Sequence, residues 1–471
     1  MITTNFEKFL PDIKEVVFLF GTESEFEVEH FSLITDGKIY NKIQLSQQTV
    51  SSNATKGVYE YEDVLQKNVS ELEEKRLIKR FIKLSVYKAL SDYVKKQMPW
   101  GALTGIRPTK LAYQQLKGTG EFRGFFTDVM QVSKQKTDLI EEIISSQKGV
   151  YCEDDDIVDF FAGIPFCPTR CSYCSFISND LRTASKLVEP YVDALIDEIT
   201  EAKKMIKKLR SVYIGGGTPV TLRRDLLERV LKAIGYSGVE FTVEAGRPDC
   251  ITENSLKLLK DYGVTRICVN PQTFNDKTLA LIGRRHTAND VVEKFALAKK
   301  YGFDVNMDLI AGLPDETFDD FAYSIDKAIS LKPENITVHT LCLKKGADLK
   351  NDNERLSGEG VTQMVEYSHK QLHSAEYLPY YLYRQKYMAG NLENTGYALK
   401  GKACTYNIDV MEEIADNIAC GANAVSKVVF GGENRIERYA NPKDVKTYID
   451  KIETIKAEKN KLFAPKNLKN K

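Results

Sequence analysis

Short apolar segments alternate with amphipathic helical segments along the middle of this 471-residue chain. The six strand candidates are residues 159–165, 211–214, 239–244, 266–270, 304–310 and 335–341. Helical stretches such as 191–209 and 225–234 lie between them. Strands that alternate with helices form parallel βαβ units. The pattern predicts a doubly wound sheet or an incomplete β/α barrel. In both folds, the functional residues should lie at the carboxyl ends of the strands.

The sequence on either side of this segment has a different pattern. Residues 1 to about 65 are β-rich, with strands predicted at 16–20, 26–31 and 38–43 and a hairpin signal at Asp36-Gly37. Helical spacing of apolar residues follows, as far as about residue 147. We therefore expect an N-terminal α+β domain (1–152), a β/α core (153–350) and a mixed C-terminal region (351–471), whose lysine-rich tail should be solvated.

The charge balance and the apolar segments exclude several classes of protein. The 66 Lys and Arg residues balance 66 Asp and Glu residues. A net charge of zero argues against a protein that mainly coats nucleic acid or an anionic membrane. No segment approaches the roughly 18–20 apolar residues of a membrane helix, and the start of the chain lacks the features of a signal peptide. We expect a cytoplasmic protein without a nucleic-acid partner or a membrane span.

Three of the nine cysteines, Cys167, Cys171 and Cys174, lie close together after the first predicted strand of the core. The odd number of cysteines, and the scattering of the other six, do not indicate a secreted disulfide framework. A thiolate cluster favours a soft metal, but structural zinc usually takes four ligands, and no histidine follows within about a hundred residues. Three thiolates can hold three irons of a 4Fe–4S cluster and leave the fourth iron open.

This C-x3-C-x2-C motif resembles the signature of the radical S-adenosylmethionine (SAM) superfamily, and later motifs of that superfamily follow in order. They are Gly215-Gly-Gly-Thr-Pro219, Glu244, Asn270-Pro-Gln272, Arg284 and Asp308. The resemblance implies a partial (β/α)6 barrel, one 4Fe–4S cluster held by Cys167, Cys171 and Cys174, and one or two SAM molecules. In that superfamily SAM chelates the open iron. One electron from the cluster then cleaves SAM to methionine and a 5′-deoxyadenosyl radical, which abstracts hydrogen from the substrate.

The resemblance also implies the residues that bind SAM. They are Phe161, Tyr173, Gly216, Gly217, Thr218, Glu244, Gln272, Arg284, Asp308, Cys342 and Val425. Two positions depart from the family pattern. Phe161 stands where the family has a tyrosine, so one hydroxyl is missing. Phe176 stands where the well-studied decarboxylases carry a cysteine.

Within the superfamily, the motifs match the branch of the oxygen-independent coproporphyrinogen III oxidases. The flanking segments 101–110, 379–386 and 390–397 resemble its HemZ subgroup, also called coproporphyrinogen dehydrogenase. The implied reaction is oxidative decarboxylation of two propionates of coproporphyrinogen III to give protoporphyrinogen IX, in heme biosynthesis, with an unidentified low-potential electron donor.

The substrate of that reaction carries four carboxylates, so basic residues should line its pocket. The candidates are Arg107, Lys110, Arg384 and Lys386. An alternative is a heme chaperone of the HemW kind, which keeps the cluster and the SAM site but binds heme without decarboxylating anything. Phe176 favours the chaperone, whereas the flanking segments favour the enzyme. A third possibility is a radical SAM enzyme that acts on another tetrapyrrole.

Overall fold

The computed structural model describes residues 1–21, 25–47, 56–66, 69–105, 107–174, 179–342, 358–385, 388–431 and 435–468. The chain forms two compact units. Unit 1 contains Met1–Glu141 and Arg384–Leu392, and unit 2 contains Glu142–Tyr383 and Glu393–Lys471. The division into separate domains at residues 152 and 350 stays a prediction.

Unit 1 combines a small sheet with helices. Its elements are β1 (Ile2–Thr4), α1 (Leu10–Phe20), β2 (Phe26–Thr35), β3 (Lys38–Gln47), β4 (Gly57–Val64), α2 (Glu71–Val94), α3 (Pro108–Thr119) and α4 (Lys134–Ser146), the last of which continues into unit 2. The strands follow the order β1-β2-β3-β4. β1 is parallel to β2, and the other two pairs are antiparallel. This architecture confirms the predicted N-terminal α+β fold.

The apolar run at 16–20 belongs to helix α1, so the strand predicted there is wrong. The helix has a proline in its first turn, where the missing N–H costs nothing, and it buries Ile13, Val16 and Val17 on one face. The hairpin prediction is confirmed. Asp36 and Gly37 have φ angles of 50° and 73°, and both central residues of a type I′ turn need a positive φ.

Unit 2 contains strands and helices in alternation. They are β5 (Ile157–Ile164), β6 (Phe166–Cys167), β7 (Asn179–Asp180), α5 (Leu181–Ala202), β8 (Lys208–Gly216), α6 (Arg224–Ile234), β9 (Glu240–Gly246), α7 (Glu253–Asp261), β10 (Arg266–Val269), α8 (Asp276–Leu281), α9 (Ala288–Lys300), β11 (Asp304–Ala311), α10 (Phe318–Leu331) and β12 (Asn335–Thr340). After these come α11 (Gly358–Ser374), β13 (Leu378–Tyr383), β14 (Asn394–Ala398), α12 (Thr405–Glu412), β15 (Asp416–Cys420), β16 (Val425–Phe430), β17 (Arg435–Ala440), α13 (Val445–Asp450) and α14 (Ile452–Leu468).

One large sheet carries this unit. Its strand order is β13-β14-β12-β11-β10-β9-β8-β5-β15-β16-β17. The run from β5 through β8, β9, β10 and β11 to β12 is parallel and corresponds to the six strands predicted from the sequence. The described strands form an open sheet, which confirms the predicted partial barrel. In such a sheet the carboxyl ends of the parallel strands meet at one edge.

The C-terminal strands extend the same sheet on both sides. β14 pairs antiparallel with β12, and β15 pairs parallel with β5. β5 therefore lies between β8 and β15, and seven of its eight residues are buried. Strands buried on both faces read as continuous apolar runs, as β5 does. The cysteine-bearing segment consequently starts from an interior strand rather than from an edge.

Helix α5 starts and ends earlier than the prediction of 191–209. It begins behind Asp180, whose side chain accepts a hydrogen bond from the backbone of Arg182, and it ends at Ala202. Residues 208–209 already belong to β8. In the described part of the chain, no helix combines the length and the apolar character needed to cross a membrane.

The lysine-rich C-terminal segment is not wholly solvated, contrary to our expectation. Lys459 in α14 is 1% exposed, and it donates to the carboxylate of Glu198 in α5. The same carboxylate accepts from the Tyr448 hydroxyl at 2.5 Å and from the Gly421 N–H at 2.7 Å. A buried charge needs partners of this kind, because burial without them is costly. Glu198 therefore joins α14 and the β15–β16 turn to α5.

Candidate functional site

The three cysteines lie on the segment that follows β5. Cys171 is buried, whereas Cys167 and Cys174 are partly exposed. The N–H of Cys174 donates to the carbonyl of Cys171 at 3.0 Å, which makes a tight turn, and Ser172 N donates to Ile282 O at 3.1 Å. The segment is thus held in place by its own backbone and by the turn after α8.

The cysteine segment has the chemistry that an iron–sulfur cluster requires. All three thiols are free of disulfides. Thr218 Oγ1 lies 3.4 Å from Cys167 Sγ, and the Arg247 guanidinium donates toward Cys171 Sγ at 3.9 Å. Hydrogen-bond donors to sulfur are typical of cluster sites. Within the described ranges, no three His, Cys, Asp or Glu side chains are arranged around one point to hold a single metal ion.

The glycines at the carboxyl end of β8 allow close packing within the protein itself. A Cβ on Gly215 would lie 2.8 Å from the Glu244 carboxyl, and one on Gly217 would lie 2.6 Å from the Phe166 carbonyl oxygen. Gly217 N–H donates to Ile164 O at 2.9 Å, and Gly216 N–H donates to Glu244 Oε2 at 3.2 Å. These glycines therefore bring the ends of β5, β8 and β9 together.

Glu244 at the end of β9 is a carboxyl group in an apolar, aromatic setting. Burial raises its pKa to about 7, although the hydrogen bond from Tyr213 opposes the shift and the charge of Asp308 adds to it. The Tyr213 hydroxyl donates to Glu244 Oε1 at 2.7 Å. The Tyr213 ring stacks on Tyr406 and Phe161, with centroid distances of 4.4 and 6.2 Å. Phe161 has no hydroxyl, but Tyr213 beside it supplies one to this region.

Asp308 on β11 is the centre of a polar group between β10 and β12. It accepts from Asn270 Nδ2 and from Asn306 Nδ2, both at 2.7 Å, and His339 Nε2 lies 3.7 Å from its Oδ1. Burial would raise the pKa of Asp308, but the hydrogen bonds from His339 and Asn306 hold it below its ordinary value. The side chains of Asp308 and His339 are 21% and 26% exposed. Asp308 is therefore a carboxylate that an incoming polar ligand can reach.

Arg284 lies near Asp308 but does not pair with it. Its Nη2 donates to the Tyr173 hydroxyl at 2.8 Å, and its Nη1 donates to the Asn270 carbonyl at 3.4 Å. Its Nε has no hydrogen-bond partner among the described residues, although it is buried. The described contacts therefore include no Arg284–Asp308 ion pair. Asn270 contacts both residues, through its backbone and its side chain.

The remaining predicted SAM-binding residues lie at several places in unit 2. Gln272 has a φ of 67° and exchanges backbone hydrogen bonds with β11, from its N–H to Asp308 O and from Ile310 N–H to its carbonyl. Cys342 lies two residues beyond the end of β12 rather than on it. Val425 is the first residue of β16, where it pairs with Ala440.

The four basic residues predicted to bind substrate carboxylates differ in their surroundings. Arg107 immediately precedes α3, and Lys110 lies in the first turn of that helix; both are half-buried. Lys386 lies outside the described residues, and so does Phe176. Arg384 is 3% exposed and belongs to unit 1.

The contacts of Arg384 contradict its predicted role in binding a substrate carboxylate. Its guanidinium donates to the carbonyls of Leu103, Gly105, Leu392 and Asn391 and to the Asn391 side chain, and it lies 5.1 Å from the Trp100 ring centroid. All three of its nitrogens already have partners. Arg384 thus connects the segment Arg384–Leu392 to the rest of unit 1 by hydrogen bonds.

The neighbouring tyrosines are also buried, so their rings are not available to stack on a planar substrate. Tyr380 and Tyr381 are 2% and 6% exposed. They pack in an apolar cluster with Cys404 and Ile408.

Several residues for which the sequence predicts no role lie among the predicted site residues. Tyr213, Arg247, Asn270 and His339 all contact a predicted cluster or SAM residue. A role for Arg247 in the site could have been predicted, because a charged residue directly after a strand of a βα unit lies at the functional edge of the sheet. No sequence feature indicates such a role for Tyr213, since tyrosines in strands are more often packed in the core.

Comparisons with known proteins agree with this geometry. The Radical SAM superfamily profile matches residues 162–328. The oxygen-independent coproporphyrinogen-III oxidase-like protein HemZ of Bacillus subtilis is 35% identical over 413 residues, which cover 83% of this chain and 82% of that protein. The solved structure of coproporphyrinogen III oxidase (HemN) from Escherichia coli, a radical SAM enzyme, gives a TM-score of 0.53 at 20% identity. It covers 69% of this chain and 74% of that chain. At that identity the likeness concerns the fold.

Heme chaperones are also similar to this chain, over a shorter segment. The heme chaperone HemW of Bacillus subtilis is 39% identical over 191 residues, which cover 38% of this chain and 49% of the chaperone. In that match the chain spans about half of the chaperone's length. The chaperone HemW of Haemophilus influenzae is 28% identical over 305 residues, which cover 62% of this chain and 76% of that protein.

Proposed function

Because the chain belongs to the HemZ family of oxygen-independent coproporphyrinogen-III oxidase-like proteins within the radical SAM superfamily, we propose that it decarboxylates coproporphyrinogen III oxidatively to protoporphyrinogen IX. Proteins of the superfamily use a 4Fe–4S cluster and SAM, which are the cofactors of this chain. Similarity to HemZ over 83% of the chain is the single observation that carries the proposal.

The proposal gives each part of the site a role. Cys167, Cys171 and Cys174 hold the cluster, and the residues at the carboxyl ends of β8 to β12 bind SAM. When bound, these cofactors supply a 5′-deoxyadenosyl radical that removes hydrogen from a propionate side chain. In its ionised form Glu244 can accept hydrogen bonds from an ammonium group. The guanidinium of Arg284, whose Nε has no hydrogen-bond partner in the described part of the chain, can donate to a polar ligand.

Orientation of the substrate matters as much as its affinity. A radical reaction requires one propionate carbon to be held within reach of the reacting atom. Arg107, Lys110 and Lys386 remain the predicted carboxylate partners, and Arg384 is withdrawn because its donors are already used.

A heme chaperone of the HemW kind is the second candidate. The specific observation that favours it is the 39% identity to HemW of Bacillus subtilis over 191 residues. That match covers only 38% of this chain.

One anaerobic assay separates the two candidates. The full-length protein is reconstituted with iron and sulfide and then incubated with SAM, a strong reductant and coproporphyrinogen III. The products are separated by chromatography after oxidation to porphyrins. The enzyme yields product with two new vinyl groups, whereas C171A yields none and cleaves no SAM.

Two results would contradict the proposed decarboxylase activity. The unmutated, cluster-loaded protein could bind heme stoichiometrically and never consume coproporphyrinogen III, which favours the chaperone. Alternatively, anaerobic reconstitution could give zinc without iron, which contradicts both candidates.

A further inference from the structure

A buried cation contacts the cysteine segment and has no assigned role. Arg247 follows the end of β9, and its side chain is 4% exposed. Its Nη1 donates to the Thr169 hydroxyl at 2.8 Å and to the Thr169 carbonyl at 3.2 Å. The same nitrogen lies 3.9 Å from Cys171 Sγ, within hydrogen-bonding distance of sulfur. One edge of the guanidinium therefore faces the backbone and a cysteine of the segment.

The opposite edge of the guanidinium is fixed by a carboxylate. Arg247 Nε and Nη2 donate to the two oxygens of Asp249 at 3.1 and 2.7 Å. A bidentate arginine–carboxylate pair fixes the plane of the guanidinium, which the single nitrogen of a lysine cannot reproduce. Asp249 is 22% exposed, so the pair connects the protein surface to the buried side of the cysteine segment.

The charge near Cys171 is predominantly positive. A second buried arginine, Arg284, also interacts electrostatically with Cys171 and with Arg247. Arg247 Nη1 thus lies 3.9 Å from this thiol, Arg284 interacts with it electrostatically, and Asp249 is the carboxylate paired with Arg247. A cluster held by thiolates gains a negative charge on reduction, and nearby donors and cations stabilise the more negative state.

We propose that Arg247 is a positioning residue for the cluster, which fixes the cysteine segment at Thr169 and favours cluster reduction through its charge beside Cys171. The inference rests on the proposed binding of the cluster by Cys167, Cys171 and Cys174. It assigns Asp249 the opposite electrostatic effect, because its carboxylate partly neutralises Arg247.

The test is an anaerobic redox titration of the reconstituted full-length protein, followed by electron paramagnetic resonance of the reduced cluster. In R247Q the equilibrium constant for one-electron reduction should fall about tenfold, which is a shift of about 59 mV to more negative potential. In D249N the potential should shift in the positive direction. Opposite shifts distinguish an electrostatic role from a merely structural one.

R223Q provides a matched control. Arg223 forms the same kind of pair with the carboxylate two residues later, Asp225, at 3.1 and 2.8 Å. Both side chains of that pair are more than 60% exposed. The control should leave the iron content and the potential unchanged.

The outcomes separate this inference from the proposed function. A lower iron content in folded R247Q and in folded R247K supports the positioning role, because a lysine cannot reproduce the contacts of the guanidinium. The retained charge in R247K should keep its potential nearer to the unmutated value. Folding is checked by circular dichroism, and R247K replaces R247Q if the latter does not fold. Unchanged potentials in R247Q, R247K and D249N overturn the inference, even if decarboxylation proceeds. An unmutated protein without iron overturns both.

Discussion

Glu244 is a carboxyl group whose pKa, raised by burial to about 7, lies far above its ordinary value of 4.5. A carboxyl that binds its proton more tightly in the folded state stabilises the fold at low pH. That contribution is complete below about pH 4.5 and is lost as the pH rises through 7. The site that is proposed to bind SAM thus loses stability as Glu244 ionises.

The first prediction concerns E244Q. Between pH 4.5 and 7, the free energy of unfolding of the unmutated protein should fall relative to that of E244Q, by about 2–3 kcal/mol. Urea unfolding at several pH values, followed by circular dichroism, measures the difference. Other titrating groups are common to both proteins, so their contributions cancel in the difference between the two unfolding free energies. Parallel pH profiles would contradict the raised pKa.

The second prediction concerns R284A. Removing a guanidinium that donates to a ligand should weaken SAM binding about ten- to hundredfold, because hydrogen bonds to charged groups contribute about 1.5–3 kcal/mol. Calorimetric titration of SAM measures the affinity, and the iron content should not change. R285A is the control, since the adjacent Arg285 is exposed. Partial unfolding, with normal affinity in the folded fraction, would indicate a structural role.

At the scale of residues, the sequence predicts motifs better than it predicts contacts. The three cysteines, Glu244 and Asp308 follow from spacing and resemblance. The hydrogen bond from Tyr213 to Glu244 joins residues 31 positions apart, and Arg247 lies 76 positions from Cys171. The sheet register creates such pairs, and no local pattern encodes them. The role predicted for Arg384 was wrong because nothing in the sequence distinguishes a buried arginine that donates to carbonyls from a surface arginine.

At the scale of elements, the six parallel strands could be predicted because each is a short apolar run between helices. The run at 16–20 was mistaken for a strand, since five apolar residues fit either structure when periodicity alone is considered. The packing of the β15–β16 turn against β5 could not be predicted either, because β5 lies more than 250 residues earlier in the sequence.

The third prediction concerns G421A in this turn. Gly421 has a φ of 103°, and a Cβ there would lie 2.5 Å from the Gly163 carbonyl oxygen and 2.6 Å from the Tyr191 hydroxyl. We expect a loss of about 2–4 kcal/mol in the free energy of unfolding, from backbone strain and from displacement of β5. Denaturant titration followed by far-ultraviolet circular dichroism measures it.

G401A is the control for this prediction. Gly401 also has a positive φ, 74°, but a Cβ there meets nothing within 4 Å. The G401A substitution should lower the free energy of unfolding by only about 1 kcal/mol, from backbone strain alone. Equal losses in G421A and G401A would show that the contact with Gly163 is unimportant.

At the scale of the whole molecule, unit 1 takes residues from two distant parts of the sequence. Arg384–Leu392 belongs to unit 1, although the chain before and after it belongs to unit 2. The sequence gives no sign of this arrangement, because its composition does not change at residue 384. The single tryptophan, Trp100, is fully buried in unit 1, beside Arg384.

The fourth prediction concerns R384A. Deleting this side chain leaves several buried carbonyls without a donor, so unit 1 should lose about 3 kcal/mol of stability. Tryptophan fluorescence during urea unfolding reports on unit 1 alone, because Trp100 is the only tryptophan. R76A is the control within the same unit, since the Arg76 side chain is 54% exposed. An unchanged midpoint in R384A, with lower product yield in the assay, would restore the substrate role.

The split composition of unit 1 has a consequence for synthesis of the protein. A ribosome that adds about 5–20 residues per second needs on the order of 10–50 s to make the roughly 240 residues between Glu141 and Arg384. Throughout that interval, the carbonyls of Leu103 and Gly105 have no Arg384 to bind them. The part of the protein that is translated first is therefore completed only after β5 to β13 have been translated, and nascent chains should offer chaperones an unfinished N-terminal unit.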